Sequence, residues 1–450
     1  MRSTVRNETK IIGEMQMDKK SCLSAFNRAG RQSCRMSSIR RGLVSVVAAA
    51  ALSAISFALP PAGAQPLTNS WISTWTASPQ SPRGVIPASF SSRTIRQIVR
   101  VSIGGNKVRI RLSNEFGTKP VLIGAASVGL SGGRPDIAAG SLRPLTFGGS
   151  KSVILLPGAP AVSDPVELNV APLSDVAVSL YLPAATELGT VHQVGLQTAF
   201  ASAAGDFTAS SEFPAVDKFA NRFFLTGIMV EPGAPARAIV TFGDSITDGT
   251  NSTVDTNSRW PDVLARRLKD AGASVAVLNQ GISGNRVLSD GAGISALARF
   301  ERDVLGQPAV SHVVIFLGIN DIGFPGTAIE TNGIVRTADE IIAGYKQLIE
   351  RAHLRSIKVI GSPLTPFEDA LAGGPNRGYF TPEKEAKRQA VNTWIRTSGA
   401  FDGIIDFERV IADPAHPASI AAAYDSGDHL HPNDAGYRAM GESIDLKLFQ

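Results

Sequence analysis

The spacing of apolar positions changes once along the chain, near residue 230. Residues 71 to about 228 contain short apolar runs separated by Gly, Pro, Ser and Asp, with no amphipathic segment of helix length. Segments 94–103 and 107–112 alternate with the period of strands, and they flank the turn sequence Gly104-Gly105-Asn106. This arrangement predicts a β-hairpin.

Further strands are predicted in the same region, at 121–128, 152–156, 166–170 and 176–182. Many short strands with turn residues between them are typical of a β-sandwich or jelly roll. This part of the chain is called the β-rich region below.

Beyond a linker at 231–235, the pattern becomes an alternation of strands and helices. Buried-type strands are predicted at 238–242, 275–278, 313–317, 359–360 and 404–405. Helices are predicted at 260–270, at 338–352, from the N-cap Thr381 to Gly399, and at 434–446. Strands alternating with helices predict a parallel sheet covered on both faces, which is an α/β fold. This part is called the α/β region.

The first 64 residues have the order of parts found in a secretory signal. Arg40-Arg41 precede an apolar run at 43–59, and Ala62-Gly63-Ala64 forms a small-residue cleavage site before Gln65. We expect translation to begin at Met36 and the exported protein to be secreted or periplasmic. The alternative, a membrane anchor, is disfavoured because the run is short for a bilayer span and ends in proline.

These boundaries predict a leader at 1–64, a β-rich accessory domain at 65–232 and a catalytic domain at 233–450. Removal of the leader changes the charge balance. It holds 10 of the 44 Lys and Arg residues and 3 of the 39 Asp and Glu residues, which leaves 34 basic and 36 acidic residues, a net charge of −2. The basic pI therefore gives no reason to expect a nucleic-acid partner. Both cysteines, Cys22 and Cys34, also lie in the leader, so we expect no disulfide or thiolate zinc site.

Candidate chemistry is concentrated in four short stretches of the α/β region, and each is weak evidence by itself. Gly243-Asp244-Ser245 directly follows the first predicted strand, where ligands bind in open α/β sheets. A serine hydroxyl can act as a nucleophile when a base lies nearby. The alternative is that Asp244 and Ser245 only cap the next helix.

The second and third stretches supply possible hydrogen-bond donors for an oxyanion. Gly284 follows the strand that ends near Asn279 and can present its N–H group, as can Gly281 and the N–H of Ser245. Asn320 follows the most apolar strand of the chain and can donate from its side-chain amide. The alternative for the Gly and Asn residues is an ordinary turn.

The fourth stretch, Asp428-His429-Leu430-His431-Pro432, precedes the last predicted helix. One loop can place the carboxylate of Asp428 on the imidazole of His431, which orients the ring and stabilises its protonated form. His429 is an alternative base and Asp425 an alternative acid. A metal site with His429 and His431 is disfavoured, since no third histidine lies close by in the sequence.

Together, these stretches resemble the motifs of the SGNH hydrolases, also called the GDSL esterase/lipase superfamily. Residues 242–247 resemble its serine motif, with Ile246 in place of Leu, and 279–284 resemble its glycine motif. Gly318-Ile319-Asn320-Asp321 resembles G-x-N-D, and 428–432 resembles D-x-x-H-P. Segments 71–76 and 113–117 are similar to the β-rich front part of some secreted bacterial members.

The resemblance implies a three-layer α/β/α fold and no metal or other cofactor. It implies that Ser245 is the nucleophile, that His431 is the base and that Asp428 is its partner. The N–H groups of Ser245 and Gly284 and the amide of Asn320 would form the oxyanion hole.

The leading hypothesis is a secreted serine esterase that forms an acyl-enzyme intermediate. The expected substrates are short-chain or acetyl esters, as small molecules or on a polysaccharide, with no nucleic-acid partner and no membrane anchor after cleavage. One alternative is a lipase or lysophospholipase-type acylhydrolase. Another is a non-catalytic glycan-binding protein with a degenerate hydrolase domain, which is disfavoured because each catalytic position holds the residue type that the chemistry needs.

Overall fold

The structure is a computed structural model that describes residues 71–84 and 89–450. The described residues belong to one compact unit. The predicted leader and its cleavage site lie outside the described residues and stay predictions. Among the described residues, no helix combines the length and apolar character needed to cross a bilayer.

The β-rich region contains strands and no helix between residues 71 and 236, within the described ranges. The strands are β1 (Ile72–Thr76), β2 (Ser89–Phe90), β3 (Arg93–Arg100), β4 (Gly105–Ser113), β5 (Val121–Ile123), β6 (Ala125–Gly133), β7 (Asp136–Ile137), β8 (Arg143–Pro144), β9 (Val153–Leu155), β10 (Pro160–Val162), β11 (Val166–Val170), β12 (Asp175–Leu182), β13 (Thr186–Glu187), β14 (Val191–His192), β15 (Ala199–Ala204), β16 (Ala215–Phe219), β17 (Arg222–Phe223) and β18 (Leu225–Glu231). The prediction of a strand-rich N-terminal region is confirmed.

Two antiparallel sheets make up most of this region. One has the strand order β1-β18-β4-β10 with β11 also on β4, and the other has the order β16-β15-β3-β12-β6-β7 with β8 on β6. The alternating apolar side chains of β4, such as Val108 and Ile110, share one core with Val178 and Leu180 of β12. The apolar faces of both sheets therefore bury their side chains in a common core.

The predicted hairpin of 94–103 with 107–112 is wrong. β3 pairs with β12 and β15, whereas β4 pairs with β18, so the two strands lie in different sheets. Between them, Ser102 N donates to Thr74 O of β1. The glycines are needed for close packing, since a Cβ at Gly104 would lie 2.2 Å from Val170 O and one at Gly105 would lie 2.6 Å from Glu231 O. Gly104 and Gly105 thus let the chain cross from one sheet to the other.

The α/β region alternates strands and helices. Its strands are β19 (Arg237–Gly243), β20 (Val275–Gly281), β21 (Val310–Phe316), β22 (Lys358–Gly361) and β23 (Gly403–Ile404). Its helices are α1 (Ser245–Asp248), α2 (Trp260–Asp270), α3 (Ala296–Phe300), α4 (Ile319–Gly323), α5 (Ala338–His353), α6 (Pro382–Thr397), α7 (Phe407–Ile411) and α8 (Asp434–Ser443). A π-helical turn at Glu301–Leu305 continues α3, and a 3-10 turn at Leu446–Phe449 follows α8. The α/β prediction is confirmed.

The sheet has the order β20-β19-β21-β22-β23, and each neighbouring pair is parallel. Its central strands are buried on both sides: Val313 and Ile315 belong to one hydrophobic cluster, and Val314 and Phe316 to the other. Helices α5 and α6 contribute to the first cluster, and α2 and α8 to the second. This double cover explains why these strands consist of continuous apolar runs.

The β-rich region packs against the edge strand β20. Thr76 Oγ1 donates to Asn279 O over 3.2 Å, and Val277 N donates to Ser102 Oγ over 3.1 Å. Ser78 Oγ lies 2.5 Å from Gln280 Oε1. An uncovered edge strand is open to pairing with other chains, and here the β-rich region covers it.

Candidate active site

Three of the four stretches lie at the carboxyl ends of neighbouring parallel strands. Ser245 begins α1 directly after β19, Gly284 follows β20, and Asn320 lies in α4 after β21. Because parallel strands end at the same edge of a sheet, these residues converge on one crevice. Ser245 and Asn320 are buried, with 5% and 2% of their surface exposed.

The fourth stretch brings its carboxylate and imidazole to Ser245. The Oγ atom of Ser245 lies 2.8 Å from Nε2 of His431, and Nδ1 of His431 lies 2.6 Å from Oδ2 of Asp428. An imidazole that contacts a hydroxyl with one nitrogen and a carboxylate with the other can take the hydroxyl proton. The three residues predicted for this role therefore form a continuous hydrogen-bonded chain, Ser245–His431–Asp428.

The carboxylate of Asp428 is held by several further donors. Its Oδ1 accepts from the N–H groups of His431 and Leu430, at 2.8 and 3.0 Å, and its Oδ2 accepts from Asn251 Nδ2 at 2.9 Å. Burial raises the pKa of Asp428, but the hydrogen bonds and the charge of His431 outweigh it and hold that pKa far below its ordinary value. Asp428 therefore stays ionised over the whole physiological range.

The alternative acid and base form a separate pair. Nδ1 of His429 lies 2.6 Å from Oδ2 of Asp425, and the His429 side chain is 54% exposed. The backbone of His429 has a φ of 60°, which reverses the chain between Asp428 and His431. Because of this left-handed turn, the two imidazoles contact different carboxylates: His429 pairs with Asp425, and His431 pairs with Asp428. In the described ranges, no three His, Cys, Asp or Glu side chains are arranged to hold a metal ion.

Gly284 presents an unused N–H group. Its φ of 80° lies in the left-handed region, and a Cβ there would lie 2.8 Å from the Cβ of Ala292. No hydrogen bond among the described residues takes this N–H as donor. The N–H of Gly281, by contrast, donates to Asn279 Oδ1 over 2.9 Å. Of the two candidate glycines, Gly284 is the one whose N–H remains available to a ligand.

The amide of Asn320 is fixed from both ends. Its Nδ2 donates to Asn285 O over 3.0 Å, and its Oδ1 accepts from the hydroxyl of Tyr379 over 2.8 Å. An amide nitrogen carries two hydrogens, so one remains for a further acceptor. Tyr379 is fully buried, and burial raises its pKa well above the ordinary value, so it acts only as a neutral donor.

Two buried carboxyl groups support the loops around Ser245. Asp321 accepts from the N–H groups of Val287 and Leu288 at 2.7 and 3.0 Å, and Asp244 accepts from Ile246 N at 3.1 Å as the N-cap of α1. Burial raises the pKa of Asp321 to about 6 and that of Asp244 to about 7. The capping role considered for Asp244 from the sequence is thus confirmed, and it coexists with the placement of Ser245 beside His431.

Arg299 ties the strand ends together, and sequence reasoning missed it. Its guanidinium donates to Gly243 O at 2.9 Å, to Gln280 O at 2.8 Å and to Asn285 Oδ1 at 2.9 Å, and it lies 4.0 Å from the ring centroid of Phe242. Helix α3, which carries it, is five residues long and leaves no clear periodicity in the sequence. Tyr379 was missed because it lies in a loop without a recognisable pattern.

Comparison with known families decides the class of the α/β region. Residues 241–439 match the GDSL-like Lipase/Acylhydrolase family. These residues form a GDSL-like lipase/acylhydrolase domain. The protein is accordingly a carboxylic ester hydrolase of the GDSL type. The resemblance of the four sequence stretches to this family is confirmed.

Solved structures of other proteins align with about half of this chain. A GDSL-like lipase from Bacteroides thetaiotaomicron is 23% identical, with a TM-score of 0.35, over 47% of this chain and 88% of its own. A carbohydrate acetylesterase from Sinorhizobium meliloti is 19% identical, with a TM-score of 0.36, over 47% and 98%. An aryl esterase from M. smegmatis is 21% identical, with a TM-score of 0.36, over 46% and 96%. These similarities are too low to carry an argument about substrate. Comparison with curated proteins finds no match.

Proposed function

We propose that this GDSL hydrolase cleaves short-chain or acetyl esters through an acyl-enzyme on Ser245. The observation that carries the proposal is the 2.8 Å contact between Ser245 Oγ and His431 Nε2, with Asp428 on the other ring nitrogen. In the first step, Oγ attacks the ester carbonyl carbon while its proton passes to His431. Asp428, which remains ionised, stabilises the imidazolium that forms.

The carbonyl oxygen becomes an oxyanion in this step and needs donors. The Ser245 N–H belongs to the first turn of α1, whose N–H groups have no partner within the helix. Together with the Gly284 N–H and the free hydrogen of Asn320 Nδ2, it would form a three-donor oxyanion hole. Such donors stabilise the transition state more than the bound ester, so they raise kcat.

Collapse of the tetrahedral intermediate breaks the bond to the alcohol oxygen, which takes the proton from His431. A water molecule then gives a proton to His431 and attacks the acyl carbon. The acid leaves as Ser245 recovers its proton. Each proton transfer in this cycle uses the same imidazole nitrogen, Nε2, which is the one that faces Ser245.

The surroundings of the crevice favour a polar alcohol, such as a glycan hydroxyl. A recess of about 500 Å³ is lined by the charged Asp369 and Arg377, by Gly and Ala residues, and by the aromatic Phe380. It lies on the segment whose Leu371 N donates to Asp428 O over 3.0 Å, beside the loop that carries His431. A wide polar recess there accommodates hydrated sugar units better than an acyl chain.

A specific observation also supports lipase-type activity as a second candidate. Ile329, Ile334 and Val335 are 60%, 66% and 67% exposed. They lie in the segment anchored by the ion pair of Glu330 with Arg286, the residue after Asn285. Exposed apolar side chains near an active site can contact an acyl chain or a lipid surface. The sequence of the leader supports a secreted or periplasmic location in either case.

The test is hydrolysis of p-nitrophenyl esters from acetyl to palmitoyl, together with release of acetate from acetylated xylan. Ser245→Ala serves as the blank, with an expected loss on the order of 10⁴ to 10⁶ in kcat. The proposal predicts the highest kcat/KM for acetyl or butyryl esters. A maximum at palmitoyl would favour the lipase candidate, and activity of Ser245→Ala within tenfold of wild type would remove Ser245 from its role.

A further inference from the structure

A row of hydrogen-bonded polar side chains, of which His192 and Asp248 are buried, connects the β-rich region to the loop of Gly284. His192 lies on β14, and its Nε2 is 3.0 Å from Oδ1 of Asp248, the last residue of α1. The other oxygen of Asp248 accepts from Ser283 N at 3.0 Å and from Ser283 Oγ at 2.8 Å. Ser283 is the residue directly before Gly284. The row therefore runs from the β-rich region to the peptide that carries the Gly284 N–H.

Both ring nitrogens of His192 face oxygen acceptors. Nδ1 lies 3.0 Å from Ser78 O, and Nε2 faces the Asp248 carboxylate. The side chains of His192 and Asp248 are 7% and 2% exposed, so the contact is a buried pair with its hydrogen bonds satisfied. Such a pair adds little net stability, but removal of one partner leaves the other buried and without its hydrogen bond.

The carboxylate of Asp248 holds two neighbouring parts of the site. It belongs to the same helical turn as Ser245, and it bonds the residue before Gly284. Ser283 Oγ also lies 2.9 Å from Thr250 Oγ1, which follows α1. A shift of Asp248 would therefore move the Gly284 N–H relative to Ser245, and small displacements of an oxyanion donor cost rate.

We propose that His192 is a positioning residue of the GDSL site, supplied by the β-rich region. It holds the Asp248 carboxylate, which in turn holds Ser283 and aims the Gly284 N–H at the oxyanion. This inference rests on the proposed function of Gly284 as an oxyanion donor. The β-rich region is then part of the catalytic apparatus in addition to its contact with β20.

Two variants of His192 distinguish a role in positioning Asp248 from a role in only holding the two regions together. In His192→Gln, the side-chain amide nitrogen occupies the place of Nε2 and still donates to Asp248. In His192→Asn, the amide nitrogen occupies the place of Nδ1 and donates to Ser78 O, while the contact to Asp248 is lost. If His192 only joins the two regions, kcat falls by a similar factor in both variants. If it positions Asp248, only His192→Asn loses rate.

The experiment measures kcat and KM on p-nitrophenyl acetate for both variants, with Ser73→Ala as a control. Ser73 Oγ bonds Gln307 Oε1 at 3.0 Å in the same interface and does not touch Asp248. We expect kcat of His192→Asn to fall about tenfold, less than the roughly 10²–10³ that follows loss of a whole donor. KM should stay within about twofold, and His192→Gln and Ser73→Ala should keep most of the rate.

Equal kcat values for His192→Asn and His192→Gln, whether both high or both low, would overturn the inference. If His192→Asn does not fold, Ser283→Ala replaces it, and a kcat equal to that of Ser73→Ala would overturn the inference. Failure of the proposed function gives a different result: Ser245→Ala would keep activity, whatever the His192 variants do.

Discussion

The hydroxyl of Tyr379 donates a 2.8 Å hydrogen bond to Oδ1 of Asn320. This contact fixes which end of the Asn320 amide faces the crevice, because the nitrogen must then point away from Tyr379. Asn285 O takes one of its hydrogens at 3.0 Å. The remaining hydrogen is directed by two protein contacts before any substrate binds, which is the preorganisation that an oxyanion donor needs.

Tyr379→Phe should lower kcat about tenfold with little change in KM, because the amide of Asn320 becomes free to turn. Steady-state kinetics on a soluble ester checks this. Tyr345→Phe is the matched control: its hydroxyl is also buried, and it donates to Leu317 O over 2.6 Å and not to Asn320. Similar kcat values for the two variants would contradict an orienting role for Tyr379.

Asn320→Ala should lower kcat by roughly 10²–10³, since it removes an oxyanion donor. Asn392→Ala is a suitable comparison, because the buried Asn392 amide bonds Leu364 O and Glu408 and lies outside the crevice. That variant should lose thermal stability and keep kcat. An effect of Asn320→Ala on KM alone would assign Asn320 to binding of the ground state instead.

His431→Ala should be nearly inactive, whereas His429→Ala should keep most of the rate. Only His431 contacts Ser245, while the exposed His429 pairs with Asp425. In the wild type, kcat/KM should fall toward low pH, because a protonated His431 cannot accept the Ser245 proton. The strongly lowered pKa of Asp428 keeps that carboxylate from contributing to this fall. An inactive His429→Ala with an active His431→Ala would show that the assignment of the two histidines is reversed.

Asp244→Asn should change how stability depends on pH. The pKa of Asp244 is raised from 3.8 to about 7 by burial, so the folded state binds this proton more tightly than the unfolded state. Its contribution to stability is therefore complete below about pH 4 and is lost as pH rises through about 7, at roughly 1.4 kcal/mol per pKa unit. Asn is an equally good N-cap, so the helix start survives.

Urea unfolding at intervals between pH 4 and pH 8 measures this difference. The free energy of unfolding of Asp244→Asn should fall less over this interval than that of the wild type. The comparison of the two proteins cancels the contributions of carboxyl groups that do not interact with Asp244. Parallel pH profiles would show that Asp244 ionises normally in the folded protein.

The sequence placed Ser245, Gly284 and Asn320 together because each follows a predicted strand, and neighbouring parallel strands end at one edge. It also placed Asp428 beside His431, since both lie in one short loop. These inferences needed only local pattern and the geometry of a parallel sheet. The α/β region was therefore largely predictable, and the bounds of long helices such as α2 and α6 agree closely with the predicted ones.

The contacts that orient these residues depend on distant parts of the chain. His192 and Asp248 are 56 positions apart, and Tyr379 and Asn320 are 59 apart. No local periodicity indicates such pairs. The hairpin error has the same origin, since alternating strands around Gly104 and Gly105 are compatible both with a hairpin and with a crossing between sheets. Only tertiary packing decides between the two.

The contact between the β-rich region and β20 limits how this enzyme can be recombined. A different front domain fused to residues 233–450 would leave Asp248 and Gln280 without His192 and Ser78, and the edge of β20 without its cover. Exchange of such a domain would then require matched substitutions on both sides of the interface between the two regions. The two regions are therefore expected to be inherited as a single unit, in contrast to domains joined by an open linker.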